Sequence, residues 1–340
     1  MEKKRDFGLD LVRCVAILGV LLIHACAGGL DRPVGSLDWL ASLFWGSVSR
    51  ASVPLFLMVS GALLLRPEKE LSLRRLWGHN IARIAAALAF WATAYGLFDA
   101  VRNGQKIGGI LRDLLLFRHE FHLYYLHILL LVYALIPLLR ALCRAASRRE
   151  LCYALALWAA AGILYPTLRQ FWPFSRLSGI PAQWALNMTW SAAGYALLGY
   201  AAKKYPPRRM AAAFSAAAGF AICFGGTWAL SAARGANATF LLEGMSPGPA
   251  LLGFGIFGLC NAARCERPLL RRTVGLLSRA SFCVYLSHVF FLRLLPKLGI
   301  SAATCPCVLS VPLYAALMLC GALAVYAVLS RIPILNKWII

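Results

Sequence analysis

Ten apolar stretches divide this chain, at about 9–28, 42–65, 81–100, 123–141, 151–165, 185–202, 210–231, 247–263, 276–295 and 307–330. A helix crosses the roughly 30 Å hydrocarbon layer in about 17–25 residues, and only the run at 151–165 is clearly short of that. The bilayer holds no water to receive backbone N–H and C=O groups, so each run closes its hydrogen bonds within its own helix. A soluble fold is excluded by quantity. Of 340 residues, 61% are hydrophobic and 14% charged, more apolar surface than one core can bury. The sequence describes an all-α polytopic integral membrane protein with about ten transmembrane helices. No internal period and no soluble linker stands out, so residues 1–340 read as a single membrane domain.

The net charge of +22 raises nucleic acid as a partner. The bases, however, punctuate the apolar runs instead of gathering on one domain, which excludes that class. They concentrate in alternate connections: Arg66, Lys69, Arg74, Arg75 and Arg83, then Arg140 to Arg149, Lys203 to Arg209, and Arg264 to Arg272. The positive-inside rule places these segments, and both termini, in the cytoplasm, with the chain multi-pass in the plasma (inner) membrane. The opening MEKKRDFG is followed by no small-residue cleavage site, so the first run is expected to be a retained span. Most of the eleven cysteines lie in apolar runs without metal-ligand spacing and read as small buried hydrophobes. A disulfide is open only for Cys305 and Cys307, which flank Pro306 near an expected outer loop.

Ionisable side chains inside such spans are expensive and mark function by default. The first span, LDLVRCVAILGVLLIHACAG, carries three: Asp10, Arg13 and His24. Eleven residues separate Arg13 from His24, about three helical turns, which puts them on nearly one face ~16 Å apart. Asp10 and Arg13, three residues apart, are expected to be neighbours on that face. The structural alternatives are snorkelling for the first two and a neutral interfacial histidine for His24. The second span opens SRASVPLFLMVSG, where Arg50 enters an apolar helix and Pro54 is expected to kink it. Residues 119–140 begin HEFHLYYLHILL, grouping His119, His122 and His127 with Tyr124 and Tyr125. His119 and His122 have i, i+3 spacing, but no carboxylate or cysteine is placed to complete a site, so no metal is expected. The aromatic belt at the membrane surface is the plain reading of the tyrosines. The ninth span, SRASFCVYLSHVFF, carries Arg279, Tyr285 and His288. The connection LSLRRLWGHNIAR reads as a basic patch suited to lipid headgroups or to phosphate oxygens.

Taken in order, LDLVRCVAILGVLLIH, SRASVPLFLMVSG, FHLYYLHILLLVYALIPLLR, SAAGYALLGY and LSRASFCVYLSH resemble the membrane acyltransferase-3 family, O-acyltransferases of cell-surface glycans. The likeness spans nearly the whole chain, and the first-helix pattern is its most specific part. It implies transfer of an acyl group, acetyl in the usual case, from cytosolic acyl-CoA to a hydroxyl of a cell-surface or lipid-linked glycan. No cofactor is bound permanently; acyl-CoA is a substrate, and the membrane lipid is the remaining partner. The resemblance carries the family's catalytic residues onto Asp10, Arg13 and His24, and substrate or acyl-CoA contacts onto Arg50, Arg83, His122, Tyr124, Tyr125 and His288. One departure stands out: Asn80 occupies the place of the first arginine in a pair that ends at Arg83. The contact to CoA phosphate would then fall to Arg74, Arg75 or His79.

The residue chemistry agrees with that implication. A hydroxyl is a poor nucleophile, and histidine, titrating near neutrality, is a suitable general base; His24 takes that role. The oxyanion that follows needs a donor, for which Arg50 or Tyr124 is suited. The rival reading is a secondary transporter or glycolipid flippase, which uses the same polar intramembrane residues. No inverted repeat supports it.

Overall fold

The computed structural model describes residues 5–103, 109–110, 112–113, 116–301 and 305–340. Among these there is no strand. Eleven longer helices and one short terminal helix organise the chain: α1 (Phe7–Cys26), α2 (Leu37–Ser49), α3 (Ser52–Leu64), α4 (Leu73–Val101), α5 (Tyr124–Ala145), α6 (Arg148–Leu168), α7 (Met188–Lys204), α8 (Arg209–Arg234), α9 (Pro247–Ala262), α10 (Pro268–Leu294), α11 (Cys307–Leu329) and α12 (Pro333–Trp338). Nine helical segments among the described residues are long and apolar enough to cross a membrane. The expected span at 185–202 is α7, a helix of 17 residues, at the lower limit for crossing. The short run at 151–165 lengthens into α6, whose start is set by a capping box between Ser147 and Glu150.

The helices begin where local chemistry favours it. Asp6 caps α1 by accepting from Leu9 N at 3.3 Å, and Ser36 and Asn187 do the same for α2 and α7. Pro247, Pro268 and Pro333 open α9, α10 and α12, where a missing N–H costs nothing. The expected second span departs from its reading. It is not one helix kinked at Pro54 but two, α2 and α3, separated at Arg50 and Ala51. Pro54 sits in the first turn of α3, where its missing N–H costs no intrahelical bond and it bends no continuous helix. Ser49 and Ser52 satisfy carbonyls around the break, Ser49 Oγ donating to Trp45 O and Ser52 Oγ to Ser49 O, both at 2.5 Å. The basic stretch expected as a connection before span three is also helical, continuing into α4 through a wide turn at Leu76–Ile81.

Close packing holds α1 at the centre, against α2, α3, α9, α10 and α11. Helices α3 and α7 approach through glycine. A Cβ on Gly61 would lie 1.8 Å from Ala196 O, and one on Gly199 2.0 Å from Met58 O. Small residues let membrane helices meet at the backbone, where lipid supplies no hydrophobic drive. Arg140 closes the end of α3, donating to Leu64 O at 2.7 Å and Arg66 O at 2.8 Å; these carbonyls have no partner within the helix. Cys305 carries a free thiol.

Candidate active site

Helices α1 and α10 run side by side in the same direction and carry the polar residues between them. At one end Asp10 meets Ser278, whose Oγ donates at 2.7 Å. At the other, the ring of His24 lies 4.9 Å from that of His288. The expected pairing of Asp10 with Arg13 is not what forms. Asp10 accepts from Arg5 twice, Nη2 at 2.6 Å and Nε at 2.9 Å, and its residue is 7% exposed. A carboxylate engaged by a bidentate guanidinium and a hydroxyl has its stronger acceptor positions taken. Arg5 reaches it from the chain ahead of the helix, outside the window in which helical spacing predicts neighbours. Arg13 makes no ion pair among the described residues and points its charge into a cavity.

That cavity, of about 370 Å³, opens at the end of the bundle where α1 begins. Four arginines line it, Arg5, Arg13, Arg83 and Arg279, with no carboxylate among the lining residues. His79 and Asn80 line it too, whereas Arg74 and Arg75 do not. Arg83 is shared, since its Nη2 also donates to Ile340 O. With Arg5 paired to Asp10, the charge without a carboxylate side-chain partner among the described residues comes from Arg13, Arg83 and Arg279. Arg279 was legible in one way: the tetrapeptide SRAS occurs at 49–52 and again at 278–281, bringing an arginine to each end of the site. The inner wall of the cavity is Tyr125 and Tyr285, their rings 5.3 Å apart. Tyr125 is 5% exposed and Tyr124 44%, so of the two adjacent tyrosines only Tyr125 belongs to this wall.

Behind Tyr285 lies a cluster of three imidazoles. His122 is 5.3 Å from His288 and 5.6 Å from Tyr285 between ring centroids, and His288 is 4.9 Å from His24. His122 and His288 are 1% and 0% exposed. They come from three elements far apart in sequence: α1, the turn Phe121–Leu123 ahead of α5, and α10. The Tyr285 hydroxyl donates to His122 O, which fixes that turn against α10. Arg50, at the break between α2 and α3, has a buried Nε without a hydrogen-bond partner, and its charge acts on both His24 and Tyr124. The grouping of His119, His122 and His127 does not hold. His119 and His127 stack on each other at 5.0 Å, while the ring contacts of His122 are with Tyr95, Phe121, Tyr285 and His288. Residue 122 lies in a tight turn rather than in the helix, so i, i+3 spacing does not apply to it. Among the described residues no group of three or more His, Cys, Asp or Glu could hold a metal ion.

A second cavity, of about 430 Å³, lies on the far side of the cluster. Its lining includes Asp99, Asp113 and Glu120 as well as Arg118 and Arg293. Arg293 pairs with Asp99 at 2.8 Å and with Glu120. Burial pushes the Glu120 carboxyl above its ordinary range against the pull of Arg293. Burial, followed by the neighbouring charge of His127, lowers His119. Phe121 connects this cavity to the cluster: it lines the former, and its ring meets His24 edge-on at 5.3 Å. Tyr95 does the same for His122, at 5.2 Å. Neither Phe121 nor Tyr95 carries a polar-spacing signal, so the linear sequence had no means of nominating them.

The family model described as an acyltransferase domain, of the acyltransferase-3 type, matches residues 6–331. No curated protein and no solved structure matches the chain.

Proposed function

From the premise that this chain belongs to the acyltransferase-3 family, and is an O-acyltransferase of the membrane, we propose that it moves an acyl group from acyl-CoA to a glycan hydroxyl. The donor's phosphates enter the arginine-lined cavity, and acetyl is the group carried. The acceptor is a hydroxyl of a cell-surface or lipid-linked glycan, reaching the histidine cluster from the second cavity. The single observation that carries this reading is the placement of three imidazoles between two cavities of unlike charge. One presents arginines without a carboxylate, as a polyanionic donor requires. The other mixes carboxylates with arginines and an aromatic ring, suited to hydroxyls and poorly suited to a polyanion.

In this reading His24 is the general base. It takes the hydroxyl proton as the oxygen attacks the thioester carbonyl and returns it to the departing thiolate. Arg50, close enough for its charge to act on His24, stabilises the oxyanion of the tetrahedral intermediate. Arg13, Arg83 and Arg279 bind donor phosphate, and Asp10 holds Arg5 at the rim. Arg13 and Arg279 line the same cavity as Asn80, which supports their taking the part of the arginine that Asn80 replaces. The arginine end faces the cytoplasm, where acyl-CoA is made available, and the membrane is the plasma (inner) membrane.

The test is mass spectrometry of envelope glycans from cells with and without this protein, paired with transfer from labelled acetyl-CoA by the purified protein. A glycan that loses one acetyl group when the protein is absent supports the reading. In the purified enzyme, Arg279→Gln should raise the acetyl-CoA KM about tenfold or more, the worth of one hydrogen bond to a charged group. Unchanged glycans together with no transfer from acetyl-CoA would refute it.

A further inference from the structure

The protons of two histidines in the cluster are fixed by the backbone. His288 Nδ1 lies 2.6 Å from Tyr285 O. A carbonyl only accepts, so Nδ1 carries the hydrogen and Nε2 a bare lone pair. That Nε2 is buried and has no hydrogen-bond partner. The same reasoning gives His122 the opposite tautomer: Nε2 faces Leu286 O at 3.4 Å, and Nδ1 is left bare and buried. Buried polar atoms are satisfied as a rule, and one left open beside a cleft calls for an explanation. The ring beside His288 that is not tied to any backbone group is His24, 4.9 Å away at an interplanar angle of 35°.

We propose that His288 positions His24: its Nε2, unpartnered in this structure, takes the N–H of His24 when that adjacent ring turns toward it, holding that proton on one ring nitrogen and leaving the other bare toward the acceptor hydroxyl. The assignment rests on the acyl-transfer reading with His24 as base, and it replaces the expectation that His288 contacts substrate. The logic is that of any oriented base, in which a third group selects the tautomer and stabilises the imidazolium. The steps balance. As the new O–C bond forms and the C–S bond breaks, the hydroxyl proton passes to the bare nitrogen of His24 and then to the thiolate. His288 keeps its Nδ1 proton throughout, because Tyr285 O holds it. His288 touches neither donor nor acceptor and acts only through His24. His122 stands one ring further back, against His288, and has Tyr95 between it and the second cavity.

The experiment compares wild type, His24→Ala, His288→Gln, His288→Leu and the double variant His24→Ala/His288→Leu, each purified in detergent. Acetyl-CoA is the donor and N-acetylglucosamine the hydroxyl probe. His288→Leu should lose about 100-fold in kcat, the scale of general-base assistance, with the acetyl-CoA KM unchanged. His288→Gln, which returns an acceptor oxygen, should recover most of that loss. The double variant should be no slower than His24→Ala, since residues that act as a unit are not additive. Equal losses in the Gln and Leu variants would overturn the pairing, and so would a raised acetyl-CoA KM at unchanged kcat. Should His288→Leu fail to fold, His288→Met takes its place under the same criteria. A wild-type protein inert toward acetyl-CoA at every acceptor would instead remove the acyl-transfer reading on which the pairing stands.

Discussion

Asp10 and its partners allow a quantitative test of how the polar end of the site is assembled. The perturbation is Asp10→Asn. In the folded protein the carboxylate accepts from Arg5 Nε at 2.9 Å, Arg5 Nη2 at 2.6 Å and Ser278 Oγ at 2.7 Å. An asparagine keeps one acceptor oxygen and sets an N–H₂ against an arginine N–H. Breaking a fully buried ion pair costs about 3–5 kcal/mol. The Arg5 side chain is 40% exposed against 10% for Asp10, so water recovers part of that cost on the arginine side. The expected loss is therefore about 1.5–3 kcal/mol, the range for hydrogen bonds to a charged group. Partner identity is then read from double-mutant cycles, by equilibrium unfolding in mixed micelles. Asp10→Asn with Arg5→Gln should show a coupling of about 1–3 kcal/mol, and Asp10→Asn with Arg13→Gln one below about 0.5 kcal/mol. A larger coupling to Arg13 than to Arg5 would refute the assembly described and restore the pairing suggested by helical spacing.

Two further perturbations probe the fold around the site. Gly61→Val should abolish the α3–α7 contact, because the first added carbon meets the Ala196 backbone at 1.8 Å and no rotamer can relieve a backbone clash. Overpacking of that kind costs about 1–3 kcal/mol or more, and loss of monodisperse protein in size-exclusion chromatography is the readout. Gly225→Ala, where an added carbon meets nothing within 4 Å, is the matched control and should leave the profile unchanged. Asp6 predicts a pH dependence. Burial acts to raise its pKa, but the hydrogen bond and charge of Lys203, with the Leu9 N–H, outweigh burial and hold it below the ordinary 3.8. A depressed carboxyl contributes stability above its unfolded pKa and loses it as pH falls through the folded one. Unfolding midpoints should thus decline below about pH 4 in wild type and decline less in Asp6→Asn; parallel curves would remove Asp6 from the account.

How much of this was legible beforehand differs from residue to residue. Apolar run length is set by bilayer thickness, and nine of the ten expected spans lie within a few residues of their place, apart from the longer starts of α2, α4 and α10. The run at 185–202 is the 17-residue helix α7, which falls short of the other nine. His24 was visible because a histidine deep in a 20-residue apolar run has no cheap explanation. The pairing of Asp10 was not, because spacing rules hold only inside a helix and Arg5 precedes α1. Nor was the division of the histidines at 119, 122 and 127, which depends on a turn that breaks helical register at Phe121–Leu123.

The sequence alone determined the solvent of this protein, its helical class, its approximate number of spans and the family to which it belongs. These follow from local quantities: the cost of bare backbone in hydrocarbon, run length and ordered motifs. Tertiary structure decided which polar residues meet. His24, His122 and His288 converge because α1 packs against α10 while the Tyr285 hydroxyl holds the turn before α5. Arg13, Arg83 and Arg279 share one cavity for the same reason, since the elements that carry them lie far apart in the chain and line one cavity in the bundle. Helical periodicity places a residue on a face; only the packing of helices says what that face looks at.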